Sequence, residues 1–112
     1  MVNKNQKWVL GREVEGREVA AGLTRKMHTY CDELMTIVNM FELNVTVDPH
    51  SHPNTQTVYI LEGKFKFTID NESKILEKGD SLLVLGNVVH GCTCIEKGSL
   101  IETFTPMREE LI

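Results

Sequence analysis

The chain is short of the residues that would place it in several familiar classes. Its 112 residues include three cysteines, an odd number from which no disulfide framework can be drawn. Cys92 and Cys94 are two apart on an expected strand, where neighbours on one face stand too far apart for an unstrained bridge. They also lack a second cysteine pair at zinc-site spacing, so Cys31, Cys92 and Cys94 are read as small buried hydrophobes in a reducing compartment. With only three prolines and dispersed glycines, no linker or low-complexity stretch divides the chain, and residues 1–112 are expected to form one domain. No apolar run approaches the roughly 20 residues of a membrane helix. Met1 to Lys7 precede no apolar core, so no signal peptide is expected. Sixteen acidic residues against twelve basic ones give a net charge of −4 at pH 7, which disfavours nucleic acid as a partner. A cytoplasmic protein without a nucleic-acid or membrane partner is the expectation.

What recurs is a short strand every 8–12 residues or so, the pattern of a sandwich or barrel. Candidate strands are 34–42, 45–48, 57–61, 64–70, 74–76, 81–85, 90–95 and 99–105. Phe65, Phe67 and Ile69 alternate with Lys64, Lys66 and Thr68, as in a half-buried strand. Glu62-Gly63 and Asp70-Asn71-Glu72 read as turns on either side of it. Residues 12–22 lack a 3.6-residue apolar face and read as turns or a short strand, while 108–112 have room for one last helical turn. The fold class is all-β.

The chemistry concentrates in His50-Ser51-His52. Two histidines two apart on a strand point the same way, and each neutral imidazole offers one lone pair to a transition metal. Gln56 follows across a Pro53-Asn54 turn signal, where a return strand can aim its carbonyl at the same point. It would serve equally as a cross-strand polar contact. His90, after a hydrophobic strand opened by Gly79-Asp80, supplies a fourth donor from a distant segment. His28 has no such pattern and is assigned to the surface. The candidate metal ligands are therefore His50, His52, Gln56 and His90. All four are neutral, so a divalent ion keeps its full charge and open coordination positions, which suits a Lewis acid. The set does not distinguish Ni, Zn, Fe, Mn and Cu.

These residues resemble the cupin superfamily, whose first motif, G-x5-H-x-H-x3,4-E-x6-G, is matched by His50-x-His52-x3-Gln56-x6-Gly63. Gln56 takes the place of the usual acid, and Asn44 stands where the first glycine is expected. The second motif is met by Gly79, Asp80 and His90, with Leu85 in place of the usual proline and the closing asparagine absent. The two motifs span about residues 44–63 and 79–94, and the resemblance covers about 25–110. It implies a single-domain cupin, a double-stranded β-helix or jelly-roll barrel. His50-Ser51-His52-Pro53, Asn87-Val88-Val89-His90-Gly91 and the segment from Glu102 through Phe104 and Pro106 to Arg108 are similar to the pectin-degradation (KdgF-type) cupins. Those open 4,5-unsaturated uronates to linear 4-deoxy-5-keto uronates. The resemblance implies one divalent metal on the three histidines and Gln56, with a carboxylated sugar as substrate. It also implies that the acid, aromatic and arginine at Glu102, Phe104 and Arg108 face that substrate. Thr55 replaces the family's glutamate, and Glu102 replaces its aspartate with a longer arm.

From the residues alone, Glu102 and Phe104 share a strand face by parity, and an acid pointing inward must be paired or catalytic. Arg108 suits a carboxylate clamp. Pairing of Glu102 with Arg108 at a barrel rim, and plain core packing for Phe104, are open alternatives. Tyr59 is a further substrate-contact candidate through its hydroxyl. An Fe-dependent dioxygenase or a non-catalytic binding module would use the same ligands. Residues 7–10 form a plausible strand to lend to a second copy, so a homodimer is expected.

Overall fold

In the computed structural model, which describes residues 1–112, the chain is built from eight strands and two single 3-10 turns. The strands are β1 (Arg17–Ala20), β2 (Leu23–Cys31), β3 (Leu34–Phe41), β4 (Thr46–His50), β5 (Thr55–Ile69), β6 (Glu72–Glu77), β7 (Ser81–Val84) and β8 (His90–Thr105). The 3-10 turns are Gly11–Glu13 and Glu109–Leu111. No helix is long and apolar enough to cross a membrane.

Two long strands organise the barrel. The second half of β8 pairs with β3 and with the first half of β5, while its first half pairs with β4 and the second half of β5. β5 and β8 thus belong to both sheets, with β1-β2-β3 extending one and β6 the edge of the other. Residues 57–61 and 64–70 are therefore one strand, as are 90–95 and 99–105. The Glu62-Gly63 break is a bend, not a turn. Gly63 has φ +83°, and a Cβ there would lie 2.5 Å from Glu96 O and 2.6 Å from Lys97 O. Two backbones cross too closely for side chains, so the strands change sheet instead of reversing. Asn44 adopts φ +69°, which explains how an asparagine serves where the cupin motif has glycine.

Parity then sets the interior. Met35, Ile37, Asn39 and Phe41 on β3 face inward with Leu100 and Phe104 on β8 and Gln56, Val58 and Ile60 on β5. Two apolar clusters result. One contains Leu23, Phe41, Val58, Ile60, Phe65, Phe67, Cys92, Cys94 and Leu100, the other Met35, Ile37, Phe104 and Leu111. Asn39 on β3 and Glu102 on β8 fall between them in strand order, and Gln56, opposite Phe104 on β5, joins them in a polar belt across an otherwise apolar barrel.

Three expectations are corrected. β2 is absent from the candidate strands, because its inward positions include Arg25 and its outward ones are also polar. His28 lies within it, partly exposed. Residues 7–10 form no strand, and Trp8 stays 76% exposed. Cys92 and Cys94 are buried, but Cys31 is partly exposed and its thiol donates to Glu33 Oε2 at 3.3 Å. Burial pushes the Cys92 thiol up to about 12, with Glu102 adding to the effect, so at neutral pH it rests as a thiol.

Candidate metal centre

Strand pairing places the histidines. His50 closes β4 and lies directly opposite His90, the first residue of β8, with ring centroids 4.4 Å apart. His52 follows two residues later, its ring 4.9 Å from that of His90. One ring nitrogen from each of the three lies within 4.8 Å of the other two. His52 and His90 are buried, as is Gln56 on the adjoining start of β5.

Each imidazole is oriented by the backbone. Nδ1 of His50 lies 2.9 Å from Asp48 O, that of His52 3.0 Å from Asn54 O, and that of His90 2.9 Å from Val88 O. A carbonyl only accepts, so each Nδ1 carries the proton and donates it. Nε2 of the neutral ring is then a lone pair, the tautomer in which histidine binds metal. Burial, and next Arg108, pull the pKa of His52 down, and burial does the same to His90, so both favour the neutral form.

Two contacts test whether these residues fit a metal ion. His90 Nε2 is buried without a hydrogen-bond partner. His52 Nε2 faces Gln56 Oε1 at 2.7 Å, and both atoms are acceptors once Nδ1 holds the proton. Turning the amide over would put its oxygen against the Glu102 carboxylate, to which Gln56 Nε2 now donates at 3.3 Å. A cation shared by facing acceptors relieves both problems. The donor set fits a divalent transition metal.

Glu102 lies behind Gln56. It lines a cavity of about 100 Å³ that Arg25, Asn39, His50, His90 and Arg108 also line. Its second oxygen accepts a hydrogen bond from Asn39 Nδ2 at 2.6 Å. Burial pushes the Glu102 carboxyl above the usual carboxylate range, with Arg25 and then Arg108 pulling the other way. Glu102 and Arg108 do not form an ion pair; Arg108 Nε donates to Glu110 Oε1 at 2.8 Å. Phe104 is only 1% exposed. It packs edge-on against His52, with ring centroids 5.8 Å apart, and carries the Arg108 guanidinium 5.2 Å above its centre. Tyr59 is placed differently from the expectation. Its neighbours Val58 and Ile60 point inward, so by parity it points out, and it is 48% exposed.

Sequence reasoning missed Arg25 and Asn39. The signal lay in parity, since Met35, Ile37, Asn39 and Phe41 alternate with one polar member.

The cupin domain family matches residues 39–102, the stretch that holds all four candidate ligands and Glu102. The chain is a cupin. Among curated proteins, this cupin is 32% identical to pectin degradation protein KdgF of Dickeya dadantii (strain 3937), over 96% of this chain and 99% of that protein. Its fold matches an RmlC-like cupin from Shewanella frigidimarina with a TM-score of 0.95 at 32% identity, covering 99% of this chain and 100% of that one. It matches KdgF from Halomonas sp. with a TM-score of 0.92 at 26% identity, covering 96% and 99%.

Proposed function

We propose that residues 1–112 act as one metal-dependent cupin domain that opens the ring of 4,5-unsaturated uronates, giving linear 4-deoxy-5-keto uronates. The observation that carries this reading is the convergence of three clustered histidines with a small cavity that His50, Gln56 and His90 line together with the buried Glu102 carboxylate and Arg108. Likeness to a pectin-degradation protein over nearly the whole chain supports the choice of substrate. His50, His52, Gln56 and His90 would hold the ion, which when bound supplies Lewis acidity toward substrate oxygens.

The chain's own residues account for binding and proton movement. Arg108, held over Phe104, binds the uronate carboxylate through its planar fork. Glu102, fixed by Asn39 and Gln56, carries the proton. In the reaction the anomeric hydroxyl loses its proton as C1=O forms, and the bond from C1 to the ring oxygen breaks. The electron pair passes to that oxygen as an enol of C5, and C4 gains a proton as the C5 ketone forms. One proton leaves and one arrives, so a single carboxylate can relay both without a co-reactant.

Loss of the unsaturated uronate's ultraviolet absorbance tests this, with wild type compared with His52→Ala and Arg108→Ala. Wild type is expected to exceed both by at least about a hundredfold; equal rates would show that this substrate is wrong. The proposal places the enzyme in the cytoplasm as a homodimer, to be checked by light scattering on eluted protein. Trp8 and Leu10, 76% and 43% exposed, are the apolar surface a second copy would cover.

A further inference from the structure

The polar wall of the cavity contains a cation that the proposed reaction does not use. Arg25 lies on β2 beside Asn39 of β3, its direct strand partner, and lines the cavity with Glu102 and Arg108. It also lines a larger cleft of about 600 Å³, walled partly by the N-terminal residues and Leu111. Its Nε is buried without a hydrogen-bond partner, and the side chain enters none of the chain's ion pairs.

The surrounding charges make this arrangement costly. Arg17 is the direct cross-strand partner of Arg25, and like charges in that position destabilise a sheet. Burial opposes protonation of Arg25 most, and Arg108 and then Arg17 oppose it further. Glu102 is the acid that favours it, yet that carboxylate already accepts hydrogen bonds from Asn39 and Gln56. Arg108 meanwhile is engaged by Glu110. A half-buried guanidinium whose Nε has no partner, next to two more cations, is a site made for an anion.

We propose that Arg25 is a second carboxylate-binding residue of the cavity, gripping the acidic group of a uronate together with Arg108. The inference rests on the ring-opening reading for the sugar, but on the arginines alone for the acid. An Arg at the carboxylate sets specificity: a neutral sugar of the same shape would leave the buried Nε unpaired.

The test uses metal-loaded protein and D-galacturonate, a saturated uronate that cannot undergo the reaction, with D-galactose as the neutral control. Wild type is expected to bind galacturonate and not galactose. Arg25→Gln should weaken that binding at least tenfold and raise KM for the unsaturated uronate more than it lowers kcat. Arg25→Lys should recover part of the loss. Metal content should stay unchanged, and the thermal midpoint should not fall, since removing the charge relieves repulsion from Arg17 and Arg108; a merely structural cation would lower it. Galacturonate binding equal to wild type in Arg25→Gln, or no binding by wild type, overturns the inference. If wild type turns over the unsaturated uronate and Arg25→Gln does so with unchanged KM, the inference fails and the ring-opening reading stands. If galacturonate binds through Arg25 but no unsaturated uronate is opened, the reverse holds.

Discussion

At the scale of single residues, the site depends on which atom of each side chain is already committed. Three backbone carbonyls hold the three Nδ1 protons, so every Nε2 is available, and Gln56 adds an uncharged oxygen. Gln56→Glu should therefore keep the metal while reducing the ion's effective charge. Turnover is expected to fall about tenfold or more with metal content unchanged, as steady-state kinetics and elemental analysis would show; unaltered turnover would mean that a neutral donor is not required. Asn54 links two parts of the site. Its carbonyl orients His52, and its side-chain amide donates to Pro106 O at 2.7 Å and to Met107 O at 3.3 Å, just before Arg108. Asn54→Ala is expected to cost about 1–2 kcal/mol in denaturant unfolding and to raise KM by loosening Arg108. The histidines and Gln56 stood out because spacing and strand parity act over a few residues, whereas Glu102 and Arg108 stood out through the resemblance to the pectin-degradation cupins. Tyr59 misled because an aromatic in a strand gives no sign of which face is inside until a neighbour's burial is known.

At the scale of elements, β5 and β8 make the centre possible by bending. Their first halves carry Gln56 and His90, their pairing brings the two barrel halves together, and the bends lie at Gly63 and Gly98. A Cβ on Gly98 would collide with Glu62 O. Gly98→Ala is expected to lose about 2–3 kcal/mol of stability and to reduce metal retention with it, as urea unfolding and elemental analysis would report. Undiminished stability would show that the crossing can open. The sequence marks these places only as glycines after charged residues, which is also how a hairpin turn looks, and hence each long strand reads as two. β2 escaped notice for a related reason. A strand that turns Arg25 into the cavity breaks the apolar alternation by which strands are recognised.

At the scale of the whole molecule, an apolar barrel holds a polar belt between its two apolar clusters. Phe41 and Phe65 meet edge-to-face at 5.1 Å in the larger cluster, and Phe65 is fully buried. Phe65→Ala is expected to cost about 3–5 kcal/mol, read as a lower unfolding midpoint. The belt has the opposite character: facing acceptors and the unpartnered Arg25 Nε raise the energy of the folded protein without its ligands. Metal should therefore stabilise the fold by mass action, by about 2.7 kcal/mol at a free concentration of a hundred times Kd, seen as a higher thermal midpoint than in chelator-stripped protein.

The central claim is that His50, His52, Gln56 and His90 hold a divalent ion, and elemental analysis of protein purified without a histidine tag tests it most directly. About one transition-metal ion per chain is predicted for wild type, with almost none in His52→Ala or His90→Ala. Metal-free wild type that takes up no ion on reconstitution, or variants that keep as much as wild type, would contradict the account.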